Sequence, residues 1–79
     1  MQDLVAGAAK VVGIKQTKKA IKEGRARKVY IAMNSDIIIR DLITNLSKQA
    51  NVTVVEVPTM QALGHACGIQ VGAACAAIL

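Results

Sequence analysis

Val29-Tyr30-Ile31-Ala32-Met33, followed by Asn34-Ser35-Asp36, residues 37–50 and Val52-Thr53-Val54-Val55-Glu56-Val57, carries two kinds of periodicity in quick succession. The first run is short, mostly apolar and rich in β-formers, the composition of a strand buried on both faces. Asn34, Ser35 and Asp36 supply turn and cap side chains. They predict a helix from about Ile37 to Ala50, with Ile38, Ile39, Leu42, Ile43 and Leu46 on its inner side. Asn51 stops that helix, and Val52 to Val57 is the next strand. A strand, a helix and a strand in fewer than 30 residues place the chain among α/β proteins.

Toward the amino terminus the pattern continues. Leu4 to Lys10 is alanine-rich, with Leu4, Val5 and Ala8 at helical spacing behind Asp3 as N-cap, so a short first helix is expected. Val11-Val12 is a brief extended piece, Gly13 breaks the chain, and Lys15 to Glu23 is a second helix ended by Gly24. At 100° per residue Thr17, Ala20, Ile21 and Gly24 share its inner face, while Lys15, Lys18, Lys19 and Lys22 fan outward. Toward the carboxy terminus, Pro58-Thr59 opens a helix from Met60 to Cys67 with Gly68 beyond its end, and Ala73 to Leu79 is a last apolar strand. The whole is read as a single domain over residues 1–79, a three-layer αβα sandwich around a four-stranded mixed sheet.

Composition excludes several functions. With 79 residues the chain holds one core, burying about 60% of the surface its unfolded form exposes, and has no room for a deep interdomain cleft. Tyr30 is its one aromatic residue, so the stacking platforms of single-strand binders are missing and a nucleic-acid ligand must be structured. The longest apolar stretch, Ile69 to Leu79, contains Gln70 and Gly72 and falls short of the about 20 residues that span a membrane. The amino-terminal residues place no basic region ahead of an apolar run, so a cytoplasmic address is expected. Cys67 and Cys75 are expected to be reduced, buried and unpaired.

The formal charge of +5 is unevenly spread. Eight of the ten basic residues lie between Lys10 and Lys28 against one acid, Glu23, a local charge of +7, and from Gln49 to Leu79 there is no Lys or Arg. Such a block is either a solvated face or a field that steers a polyanion to one helix entrance.

The motifs weigh against catalysis. Gly13-Ile14-Lys15-Gln16-Thr17-Lys18-Lys19 lacks the second glycine of a phosphate loop, and His65, Cys67 and Cys75 lack the paired spacing of a zinc site, so no metal or cofactor is expected. Asp36, Asp41 and Glu56 form no carboxylate pair, and no catalytic residue is assigned. What Gly13 does offer is a strand-to-helix turn whose unpaired N–H groups attract phosphate, with Lys15, Gln16 and Lys19 able to reach base edges beyond it. Gly68-Ile69-Gln70-Val71-Gly72 is a loop with two apolar side chains. These either tuck under as a strand extension or form a pad for an unstacked base or a partner protein.

Taken together, the segment Gly13 to Gly24, the strand ending at Ala32 and Leu63-Gly64-His65-Ala66-Cys67-Gly68-Ile69-Gln70-Val71-Gly72 resemble the kink-turn-binding ribosomal-protein superfamily of L-seven-Ae and L-thirty-e, and most closely its small bacterial YbxF-like branch. The resemblance covers nearly the whole chain. It implies the same αβα fold and a non-enzymatic RNA-binding function, directed at kink-turns in which sheared G·A pairs flank a bulge. It also implies that Lys15, Gln16 and Lys19 enter the groove at those pairs and that Ile69, Gln70 and Val71 cover the bulged nucleotides. Gly13, Lys18 and Lys22 complete the expected RNA-binding set. Archaeal members carry Asn-Glu in place of Lys15-Gln16, and many relatives carry Lys in place of Met60. The implied partner is a structured RNA, ribosomal or in a messenger leader, bound by a monomer with possible ribosome association and no membrane contact. The alternative is a protein-interaction or general structured-RNA module.

Overall fold

A computed structural model describes residues 2–5, 7 and 9–79. The elements follow one another as α1 (Gln2–Val5), β1 (Lys10–Val12), α2 (Ile14–Lys22), β2 (Lys28–Ala32), α3 (Ile37–Gln49), β3 (Thr53–Val57), α4 (Met60–Ala66) and β4 (Cys75–Ile78). The strands form one sheet in the order β1-β4-β2-β3. β2 and β3 run parallel, with Tyr30 beside Val55, while β4 is antiparallel to both β1 and β2, with Ala77 beside Val11 and Val29. The expected mixed, four-stranded sheet is present, with bounds displaced by a residue or two.

The two central strands show why they read as continuous apolar runs. Val29 and Ile31 of β2, with Cys75 and Ala77 of β4, face a core shared with Ile21 of α2 and Ile43 of α3. Their alternates Tyr30, Ala32, Ala76 and Ile78 face a second core with Leu4 of α1 and Leu63 and Ala66 of α4. Both sides of a strand are therefore dry, as the period of two requires when helices cover each face. Chain breaks fall where the residues allow them: Asn51 adopts φ 57° after α3 and Gly68 adopts φ 81° after α4, left-handed conformations open to these residue types.

Two expectations need correction. Asp3 does not cap a helix running to Lys10; it lies inside the four-residue α1, and its carboxylate turns to the sheet. Ala8, placed on the same helical face, lies outside the described residues. In α3, Ile38 and Leu42 are 74% and 39% exposed, not on the inner side. Three consecutive isoleucines at 37–39 leave the helical phase ambiguous by composition, and packing selects Ile39, Ile43, Leu46 and the small Ser47 instead. Ser47 can be buried because its hydroxyl donates to the Ile43 carbonyl one turn back, at 2.8 Å.

Candidate nucleic-acid interface

Topology gathers the sequence motifs at one end of the sheet. Because β4 is antiparallel to β1 and β2 and β3 parallels β2, the carboxy ends of β1, β2 and β3 all lie beside the start of β4. Helices α2, α3 and α4 each begin directly after one of those strands. Three helix N-termini, with their unpaired donors and positive dipole ends, therefore share this end with the loop of residues 68–72 that leads into β4.

Two of the three are closed by side chains. Asp36 accepts from the Ile38 N–H at 2.7 Å at the start of α3. At α4, Thr59 accepts from the Ala62 N–H at 3.0 Å, and Asn34, reaching across from the end of β2, accepts from the Met60 N–H at 2.8 Å. The third is open. Gly13 precedes α2 with φ 98° and ψ 165°, a conformation essentially restricted to glycine, and it has no side chain to cap with. Its own N–H is held by the Cys75 carbonyl at 2.9 Å, which fixes the helix entrance against the start of β4. The first intrahelical bond runs from the Thr17 N–H to the Gly13 carbonyl at 3.0 Å, so the N–H groups of Ile14, Lys15 and Gln16 have no helical acceptor.

The helix is turned as its pattern predicts except at Gly24, which lies beyond its end and is exposed. Thr17, Ala20 and Ile21 are buried, while Lys15, Gln16, Lys19 and Lys22 are exposed and Lys18 is half-buried. The lysine stems, with Ile14 and Glu23, line a shallow hollow along the outer surface. The Thr17 hydroxyl is buried without a hydrogen bond of ordinary geometry. Burial pushes the Cys75 thiol pKa up, and the neighbouring Thr17 hydroxyl only partly offsets this.

The second motif is rigidly mounted. The Gly68 N–H donates to the His65 carbonyl, the Ile69 N–H to the Gly64 carbonyl and the Ala73 N–H to the Met60 carbonyl, each at 3.0 Å. Gly64 is what permits this close approach, because a β-carbon there would run into the backbone carbonyl of Val71. Held this way, the loop presents its apolar side chains outward: Val71 is 71% exposed and Ile69 is 36% exposed, with Gln70 exposed between them. The apolar side chains of the loop thus face outward, and the loop does not tuck under as a strand extension. Together with Gln61, His65 and Gly72 these side chains line an open concavity of about 350 Å³. The sequence alone gives Asn34 and Gln61 no part in a site and offers Gly64 and His65 only as members of the motif, since their relation to the loop is tertiary.

The +7 block does not gather at the helix entrance. Lys15, Lys18, Lys19 and Lys22 lie along α2, but Lys10 and Lys28 both pair in register with Ile78, and the Arg27 N–H donates to the Ile78 carbonyl, at the far end of the sheet. Two cations of the block are also paired. Arg25 meets Glu23 at 2.8 Å, and Lys28 meets Asp3 at 3.0 Å, its ammonium over the Tyr30 ring at 5.7 Å from the centroid. Helix α2 carries the chain from one end of the sheet to the other and the turn after it reverses the chain there, a path that a linear count of charges does not see.

Cys67 belongs to one core and Cys75 to the other, with the sheet between them. Among the described residues, no group of three or more His, Cys, Asp or Glu is arranged to hold a metal ion. None of their helices is long and apolar enough to cross a membrane.

The family described as ribosomal protein L7Ae/L30e/S12e/Gadd45 matches residues 3–79. The chain belongs to that family. An RNA-binding protein of Geobacillus sp. strain WCH70 is 51% identical over 69 residues, covering 87% of this chain and 84% of the relative. The RNA-binding protein YbxF of Geobacillus stearothermophilus is 49% identical over the same shares. A further RNA-binding protein, from Caldanaerobacter subterraneus, is 40% identical over 86% of this chain and 83% of its own. A solved structure described as a protein with unknown function from Bacillus halodurans C superposes with a TM-score of 0.80. It covers 87% of this chain and 69% of that one at 20% identity, a likeness of fold. Membership of the L7Ae/L30e family agrees with the resemblance drawn from the two motifs and with the reading of a non-enzymatic protein.

Proposed function

We propose that this protein binds RNA and that it recognises and stabilises a kink-turn, acting as a cytoplasmic monomer within a ribonucleoprotein, on ribosomal RNA or a messenger leader. The observation that carries the reading is the uncapped start of α2 beside the outward-facing Ile69-Gln70-Val71 loop. Three free N–H groups and the positive end of the helix dipole suit a phosphate, and Lys15, Gln16 and Lys19 stand where they reach past it. Lysine donates to guanine O6 and N7, and the glutamine amide both donates and accepts. A regular A-form major groove is too narrow to admit such side chains, whereas a sharply bent duplex opens it and unstacks bases for an apolar pad to cover. By binding only the bent state, the protein draws the RNA toward it.

Titration of a kink-turn RNA, and of a control whose G·A pairs are replaced by Watson–Crick pairs, tests the reading. Binding to the kink-turn is expected to be tighter by about tenfold or more, the scale of losing one or two specific base contacts. Equal affinity would leave a general binder of structured RNA. In the competing protein-interaction reading the same apolar 69–72 loop, with Ile69 and Val71 exposed, docks a partner chain and the lysines are incidental. That reading would be favoured if no structured RNA were retained on a filter at moderate salt.

A further inference from the structure

We propose that Asn34 is a positioning residue of the RNA surface: through Met60 it holds the 68–72 loop at a fixed spacing from the entrance of α2, and so determines how well a kink-turn is told from a regular duplex. The inference rests on the kink-turn reading above. It begins at the start of β4, where three consecutive residues tie the parts of the surface together. The Ala73 N–H donates at 3.0 Å to the carbonyl of Met60, the first residue of α4. The Ala74 carbonyl accepts from the Ala32 N–H, at the end of β2, and the Cys75 carbonyl accepts from the Gly13 N–H, both at 2.9 Å. All three are backbone bonds. The circuit from the end of β2 back to the start of α4 is closed by a side chain, Asn34, whose Oδ1 accepts from the Met60 N–H at 2.8 Å.

The acceptor is carried on a fixed turn. The Ser35 N–H and hydroxyl both donate to the Ala32 carbonyl, at 3.2 and 2.7 Å, and the Met33 N–H donates to the Val57 carbonyl at 2.8 Å. Ordinary capping does not account for the bond across 26 positions of chain. Helix α4 already has its N-cap in Thr59, whose hydroxyl accepts from the Ala62 N–H at 3.0 Å. Asn34 adds a restraint from another element, and places it on the residue that supports the loop.

That support is direct. A β-carbon at Gly72 would lie 3.1 Å from the Met60 β-carbon and 3.5 Å from its Cε, so Gly72 rests on Met60 while Ala73 is bonded to it. A shift of Met60 is passed to both, and from them to Val71 and Gln70 on the exposed loop. A recognition surface discriminates only while its parts keep their spacing, to within about 0.5 Å. Without the Asn34 acceptor the Met60 N–H turns to water, and the loop and the α2 entrance are held at one spacing less firmly.

The experiment measures affinity for a kink-turn RNA and for its Watson–Crick control with the wild-type chain, Asn34→Ala, Asn34→Asp and Thr59→Ala. The readout is the ratio of the two affinities, from which a uniform change in charge or in the fraction folded cancels. Asn34→Ala is expected to lower the ratio by about three- to tenfold, the scale of one hydrogen bond, with affinity for the control nearly unchanged. Asn34→Asp keeps the acceptor and should keep the wild-type ratio, while its added negative charge weakens binding to both RNAs. Thr59→Ala removes the other cap of α4 and should lower stability but not the ratio. In the RNA-free protein, amide hydrogen exchange at Met60 and Ala73 should quicken in Asn34→Ala and not in Asn34→Asp. A wild-type ratio in Asn34→Ala overturns the proposal and leaves kink-turn recognition intact. An equal fall in Asn34→Asp does the same, because it would make the amide a direct donor to RNA, as does an equal fall in Thr59→Ala. A ratio of one in the wild-type protein overturns both.

Discussion

The two ends of the sheet treat their polar groups in opposite ways. At the end where β2 begins, much of the charge is paired internally: Asp3 accepts from the Tyr30 hydroxyl at 2.5 Å and from Lys28 at 3.0 Å, and Arg25 is paired with Glu23. At the end where β4 begins, the start of α2 is left with free donors, and its lysines stand without a carboxylate partner within salt-bridge distance among the described residues. Even within that second end the contrast repeats, since α3 and α4 are capped by Asp36, Thr59 and Asn34 while α2 is not. Capping a helix contributes about 1 kcal/mol, so an uncapped one at a glycine forgoes stability that its neighbours have. Groups that satisfy one another hold the fold together, and groups left unsatisfied at a surface are available to a ligand.

The largest effect is expected where fold and surface meet. Replacing Gly64 by Ala places a β-carbon against the Val71 carbonyl, and neither the helix nor the hydrogen-bonded loop can move away without losing bonds. A cost of about 2–3 kcal/mol in unfolding free energy is expected, on the scale of overpacking a core. RNA affinity should fall with it because Ile69 and Val71 are displaced. Chemical denaturation and a binding titration on the same sample check this, and a variant as stable as wild type would show that the loop is not seated as described.

The next effect separates the two ends directly. Lys19→Ala and Gln16→Ala should each weaken kink-turn binding by about 1–3 kcal/mol if they read base edges. Both side chains are exposed, so unfolding should change by less than about 0.5 kcal/mol. Arg25→Ala, in the same short segment of sequence but paired and at the other end, should leave affinity nearly unchanged and cost at most about 0.5 kcal/mol of stability. If all three variants lost affinity equally and only at low salt, the interface would be a diffuse field and not a defined edge.

That contrast also marks what could be read from the amino acids. The alternation of strands and helices, the turn of α2 that buries Thr17, Ala20 and Ile21, and the cap at Thr59 depend on neighbours in sequence, and each is found where local pattern puts it. The phase of α3 is not legible locally because isoleucine fills positions 37–39, and only the core that Ile39 and Ile43 share with Ile21 and Val29 decides it. The placing of the charge block and the role of Asp3 escape local pattern for the same reason. Their partners lie across a chain reversal, with Tyr30 27 positions from Asp3, and no local pattern carries that distance. Of the site, the residue types on α2 and in the loop were legible. The glycine that seats the loop and the histidine beside it become visible only once α4 and residues 68–72 are packed together.

The smallest effect concerns the paired end and is confined to acid. The hydrogen bonds from Tyr30 and then Lys28 lower the Asp3 pKa to about 2, and the Lys28 ammonium is in turn held in its charged form. Tyr30 is shifted up, first by burial and then by the carboxylate. Because the folded pKa of Asp3 lies below its unfolded value, its contribution is complete above about pH 4 and is lost as pH falls toward 2. Asp3→Asn should therefore lower Tm at neutral pH and show little further difference from wild type near pH 2, where the wild-type carboxyl is itself taking up a proton. RNA binding at neutral pH should be unaffected, since the pair lies at the far end of the sheet from Gly13. A constant difference in Tm across that range would mean that Asp3 acts through packing of α1 and not through its charge, whereas a loss of RNA affinity would mean that the two ends are coupled through β2 and β4.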